Sequence, residues 1–429
     1  MEKDAGRMPD GVKRTIAVGG LLLAMPGLLI ACAHLCTTLV TLVQGGGGIG
    51  GGIASFALAV VTVGGGGATF WHGLRSLRGR SSKPMRLPPI WALVGLFGLF
   101  VTLGLVLSKS AVASALFFPP AVLAAAALPP LWAVSWFTQR EAEGLTWRRG
   151  LVALAGGATF AALIALILEV LFPAIVLALV LDLADVVLGG VEGVLEALAG
   201  RDVASVVTHP GFLYLFVQIA VIAPLAEELA KPLVTLPLIG RLGRRDAFWV
   251  GAMAGAGFAA LENAIYAGLG VYFWAGILVV RSLGGAIHPL GAGLVALGWR
   301  GILKGEKEGW RRGLIGSAIA VGMHALWNGG SLLVITLAGA QFFGELPPEV
   351  DVLGLSAAGT TLAVLLILGL AALWLGRAVG KRLESPAAGE GMPADVSFVL
   401  SDRAMAIWAL ACLVAIVPAG IAGLQILLR

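Results

Sequence analysis

The residues whose types and spacing could do chemistry sit close together in the second half of the chain. Glu227-Glu228-x-x-Lys231 comes first. On a helix Lys231 follows Glu227 by four residues and Glu228 by three, so it can reach either carboxylate. One carboxylate can pair with it, which leaves the other for a water, a metal or a substrate. Two adjacent carboxylates in low dielectric also force their proton affinities apart, a usual way to keep a general base and a proton donor in one site. A neutralised structural cluster is the plainer alternative.

Phe258-x-x-x-Glu262-Asn263 comes next. Gly251, Gly255, Phe258 and Glu262 form one helical stripe, and the glycines let a neighbouring helix approach where the carboxylate points inward. Pairing with Arg281 is the plainer role for Glu262. His288 precedes Pro289, which disfavours the α conformation at His288 itself, and Gly284, Gly285, Gly291 and Gly293 surround it. A broken helix at membrane depth is tolerated only where it is buried in protein or lines a cavity. In His324-x-x-Trp327-Asn328 the histidine and asparagine share a face, with Trp327 able to pack over them. Each histidine alone reads equally well as a hydrogen-bonded buried residue; opposite the carboxylates, both read as parts of a site.

The elements that must position these groups are membrane helices. The chain has 429 residues, of which 59% are hydrophobic and 12% charged, with a mean hydropathy of +0.96. Soluble domains carry about 25% charged residues. A soluble enzyme, a disordered chain and a secreted disulfide scaffold are thereby excluded. The long apolar runs lack the alternation of an outer-membrane barrel, so the fold class is all-α, a polytopic transmembrane helical bundle. The net charge of +5 does not point to nucleic acid, because the basic residues fall in short loops between apolar runs. Three cysteines form no CxxC pair. The first apolar run is too long for the ~7–15-residue core of a signal peptide and reads as a retained span.

Eleven spans are expected, at 15–43, 48–74, 88–108, 111–137, 150–172, 211–238, 247–270, 275–299, 313–340, 353–376 and 404–428. With these spans 24 of the 29 lysines and arginines fall on one side. That asymmetry places the N-terminus in the cytoplasm and the C-terminus outside. Between Pro173 and Gly200, Asp182, Asp185, Gly189, Glu192 and Glu196 share one helical face, which predicts an amphipathic helix on the outer interface. Segment 383–398 reads as a cytoplasmic linker. Four regions follow: an N-terminal four-span region at 1–149, the fifth span with the interfacial helix at 150–204, a four-helix core at 205–340, and a C-terminal two-span region at 341–429. No internal repeat of the kind common in transporters is evident.

Glu227, Glu228, Lys231, Glu262 and Arg281 all fall within spans. Five such groups cost about 12–17 kcal/mol before pairing, at ~2.5–3.5 kcal/mol each. They are confined to three consecutive spans, with the histidines close by. Counting residues from the span ends puts Glu227, Glu228, Glu262, His288 and His324 near mid-membrane or slightly outside it, so four helices can converge on one polar site. Arg281 is shallower and can snorkel. His34, His72 and His209 have plainer readings, and Glu169, near an outer helix end, can reach headgroups.

The ordered set Glu227-Glu228-x-x-Lys231, Phe258-x-x-x-Glu262-Asn263, His288 and His324-x-x-Trp327-Asn328 resembles the PrsW family of intramembrane metalloproteases. That family is similar to the CAAX prenyl protease and bacteriocin-processing group, whose members carry EExxxR, FxxxH and HxxxN patterns. The resemblance covers roughly residues 205–335, and Glu262 stands where the wider group has histidine. It implies an endopeptidase of the bacterial plasma membrane that cuts a membrane-anchored protein near the outer face, typically an anti-sigma factor. It also implies a divalent metal, zinc first, held by His288, His324 and Glu262 with water as the fourth ligand. Glu227 or Glu228 would be the general base, Glu228 being favoured with Glu227 paired to Lys231. Asn328 would donate to the oxyanion. Three glutamates and two basic residues sum to −1, and a divalent ion takes the total to +1. A metal-free glutamate mechanism and a proton- or cation-coupled transporter are the alternatives. HExxH, GxGD and GxSG are all missing, which sets aside other membrane protease types. The bilayer and a protein substrate are the expected partners; nothing in the sequence speaks to oligomeric state.

Overall fold

The computed structural model describes residues 71–72, 75, 80, 82–109, 117–138, 146–162, 164–169, 210–239, 242–343 and 352–384. The described residues are helical apart from short connections. Helix α1 is Ile90–Leu107 and α2 is Phe118–Thr138. Helix α3, Trp147–Glu169, contains a π turn at Gly157–Ala161. Helix α4 runs as Pro210–Val217, a π turn at Gln218–Ile222, and Ala223–Ile239. Helix α5 is Arg244–Leu269, α6 Trp274–Leu283, α7 Ile287–Leu303, α8 Gly309–Phe343 and α9 Val352–Glu384.

Seven of these helical units are long and apolar enough to cross a membrane, or eight if the bent pair α6 and α7 is one span. They coincide with the eight spans expected between residues 88 and 376. The expected first and last spans, nearly all of the second, the interfacial helix at 173–200 and the linker lie outside the described residues. So do His34 and His209.

Helix α5 is the hub: 83% of its apolar window is enclosed, against 11% for α1. It packs against α2, α3, α4 and α7, while α8 packs against α7 and α9. The stripe of small residues on α5 makes this possible. A Cβ on Gly255 would collide with the backbone carbonyl of His288, so only glycine lets α7 come this close. The buried aromatics include Phe118, edge-on to Trp274 with centroids 5.2 Å apart, and Phe137, 6.1 Å from Phe248.

The basic loops meet at one end of the bundle. Glu306, after α7, accepts hydrogen bonds from Arg244 at 2.9 Å, from Arg312 at 2.5 Å and from Arg300. Arg300 Nε donates to the Leu242 carbonyl at 3.1 Å, and Arg149 lies 3.9 Å from Asp246. Thr146 caps α3 by accepting from the Arg149 N–H at 3.3 Å. Polar chemistry elsewhere in the bundle is then concentrated in its interior, where α4, α5, α7 and α8 face one another.

Candidate active site

Lys231 is the centre of the interior cluster and is fully buried. Its ammonium donates to Glu228 Oε1 at 2.6 Å, to Glu227 Oε2 at 3.1 Å and to His288 Nδ1 at 2.7 Å. All three of its protons are thereby used. The ring of Phe258 lies 4.2 Å from the nitrogen and adds a cation–π contact. The sequence leaves open which carboxylate Lys231 takes. It takes both, because one turn of helix puts Glu227 and Glu228 on either side of it.

This arrangement fixes both histidines. Lys231 can only donate, so His288 Nδ1 is an acceptor and its proton is on Nε2, 3.0 Å from Glu262 Oε2. His324 Nδ1 lies 3.1 Å from Glu228 Oε1, and carries the proton there because the carboxylate accepts. His324 Nε2 is then a bare lone pair. It is buried without a hydrogen-bond partner, 3.7 Å from Glu227 Oε2. The two rings stack edge to face with centroids 4.5 Å apart.

Of the three expected metal ligands, His288 and His324 offer ligand atoms that group with Glu227 and not with Glu262, all within 4.8 Å of one another. A divalent ion fits this donor set chemically provided it displaces the Lys231 ammonium from His288 Nδ1: two neutral imidazoles and a carboxylate suit zinc, and the orphaned His324 Nε2 is an atom such an ion would satisfy. Glu262 stands on the other flank of His288. Arg281 pairs with it at 2.8 Å and is itself largely enclosed, so it turns inward instead of snorkelling. The helix break lies at 284–286, ahead of His288. Pro289 falls in the first turn of α7, where its missing N–H costs nothing, so His288 keeps helical geometry.

With this geometry the matched region of the sequence takes on meaning. Residues 145–354 match the family model of the PrsW family intramembrane metalloproteases. The chain carries a PrsW-family intramembrane metalloprotease domain. It is a peptidase, and a multi-pass membrane protein. No curated protein and no solved structure matches the chain. The PrsW domain takes in α3 to α8 and the start of α9; α1 and α2 precede it.

Within the PrsW domain two further features were not legible from motif spacing. Glu169, at the end of α3, is joined to α4 through its main chain. Its backbone carbonyl accepts from Gln218 Nε2 at 3.2 Å. The second is the π turn at Gln218–Ile222. It hands the Ala223 N–H to the Gln218 carbonyl, and the residue five beyond Ile219 is Pro224, which has no N–H. The stranded Ile219 carbonyl accepts from Asn328 Nδ2 at 3.2 Å. One asparagine thus ties α8 to α4 two turns ahead of the paired glutamates.

Proposed function

We propose that the chain is an intramembrane endopeptidase that hydrolyses a peptide bond of a membrane-anchored protein. The cut falls near the outer face, and an anti-sigma-factor-like protein of the bacterial plasma membrane is the substrate the resemblance suggests. The observation that carries this reading is the convergence of Glu227, Glu228, Lys231, His288 and His324 inside the bundle of a PrsW-family domain.

Glu227, His288 and His324 would hold the divalent ion. When bound, the ion polarises the scissile carbonyl and makes a water acidic enough to react near neutral pH. Glu228 is the base. Its Oε1 is engaged by Lys231 and His324, while Oε2 is buried and unpartnered. A Cβ on Gly291 would lie 3.1 Å from Oε2, so the glycine keeps room for a water there. Oε2 takes the proton of the attacking water and returns it to the departing amine. Lys231 holds the two glutamates in place by donating to both. Glu262 orients His288, with Arg281 balancing its charge, as carboxylates behind ligating histidines do.

A metal-free variant of the same reaction is favoured by one observation: the Lys231 ammonium already satisfies His288 Nδ1. There Glu228 and His324 would activate the water without an ion. Metal content separates the two. Detergent-purified protein should carry about one zinc per chain, lost in His324→Ala. Cleavage of a single-span reporter should be lost in Glu228→Gln. Retained cleavage in that variant overturns the assignment of the base, and metal-free but active protein overturns the metal reading.

A further inference from the structure

The polar chain that ends on His288 does not begin in the PrsW domain. It begins on α2, at a carbonyl that the sequence itself strands. The Ala126 carbonyl would be satisfied in a helix by the N–H of residue 130, or in a tighter turn by that of residue 129. Both are prolines and lie inside α2. Asn263 Nδ2 donates to this carbonyl at 3.0 Å. On its other side Asn263 Oδ1 accepts from Arg281 Nε at 2.5 Å. A carbonyl only accepts and a guanidinium only donates, so the chemistry admits one orientation of the amide. Arg281 then pairs with Glu262 at 2.8 Å, and Glu262 stands 3.0 Å from His288 Nε2. Next to the break before His288, Gly285 packs against Pro129, where a Cβ would come within 3.0 Å of the proline.

We propose that Asn263 and Arg281 are positioning residues for His288, anchored to α2 through the Ala126 carbonyl that Pro129 and Pro130 leave without a helical partner. Helix α2, outside the matched domain, is then a working part of the site. This deepens the metal-site reading and rests on it. The same device recurs where Asn328 caps the Ile219 carbonyl stranded by Pro224.

The test is the affinity of the full chain for zinc, measured by chelator competition in detergent, with the thermal midpoint of the metal-free protein beside it. Asn263→Ala and Arg281→Gln should each weaken zinc roughly tenfold or more, the range seen when outer partners of ligands are lost. Pro130→Ala gives the ladder back its N–H and lets the carbonyl swing away from Asn263. It should weaken zinc while leaving the metal-free midpoint unchanged or higher, which a merely structural proline would not do. The Pro130→Ala/Asn263→Ala double variant should bind zinc no worse than Asn263→Ala alone, because both cut the same chain. Wild-type affinity in Asn263→Ala, or additive losses in the double variant, overturns the proposal while leaving the metal site standing. A wild-type chain that binds no zinc removes the metal reading itself, and the proposal with it.

Discussion

The ammonium of Lys231 lies 2.7 Å from Nδ1 of His288, and that one contact sets the tautomer of the histidine and the orientation of everything behind it. The lysine is a surrogate cation among three carboxylates. It donates to both Glu227 and Glu228, and it turns the His288 proton toward Glu262.

Removing that cation alone should be the most damaging single change at the site. Lys231→Met strands two buried carboxylates, and breaking a buried pair this way costs about 3–5 kcal/mol. The expected result is a large fall in the thermal midpoint in detergent. Replacing all three members, Glu227→Gln/Glu228→Gln/Lys231→Met, should recover much of it, since no unpaired charge then remains. A triple variant as unstable as Lys231→Met would mean that the lysine acts through packing on Phe258 instead.

The paired glutamates should separate in function. Glu228→Gln keeps a similar volume and hydrogen-bonding shape but has no basic oxygen. Turnover of a membrane-anchored reporter should drop about 10²–10⁴-fold, the usual contribution of a general base, with zinc content unchanged. Glu227→Gln should lose zinc first and activity as a consequence, so excess zinc should restore part of its turnover. Equal loss of zinc in both variants would reverse the two roles or merge them.

How much of this was legible without coordinates depends on what kind of signal each feature leaves. The helices announce themselves through apolar runs, and the convergence of Glu227, Glu228, His288 and His324 follows from the cost of leaving such groups apart in a membrane. The partition of partners does not. Whether Glu262 faces the histidine pair or Arg281 depends on helix rotation of a few tens of degrees, which spacing does not fix; it stands beside both His288 and Arg281. The main-chain contact of Glu169 with Gln218 does not follow from spacing, because the π turn at Gly157–Ala161 shifts the register of everything after it. The roles of Asn263 and Arg281 were hidden for a different reason. The group that organises them is a main-chain carbonyl on α2, and its clue, Pro129-Pro130, lies more than a hundred residues away.

Zinc should stabilise the chain through His324 in particular, whose Nε2 is otherwise an unpaired buried atom. Binding to the native state alone contributes about 2.7 kcal/mol at a free concentration one hundred times Kd. A zinc-dependent rise in the thermal midpoint is expected for wild type and for His72→Ala, and none for His324→Ala. A rise that persists in His324→Ala would place the ion elsewhere in the bundle.

Asn328 separates a positioning role from an oxyanion role most cleanly. If its amide is needed chiefly to satisfy the Ile219 carbonyl, Asn328→Ala leaves a buried carbonyl without a partner, at about 1–3 kcal/mol. The midpoint should fall accordingly. Pro224→Ala should rescue it, because an N–H at residue 224 offers that carbonyl the partner the proline denies it. If the asparagine instead donates to the developing oxyanion, stability should barely move, turnover should fall about 10²–10³-fold as when such a donor is lost, and Pro224→Ala should rescue nothing. Thermal midpoints and turnover for wild type, the two single variants and the double variant decide the matter. The geometry favours the first outcome: the donor is already committed to α4, at the turn that sets the register of Glu227 and Glu228 against His324.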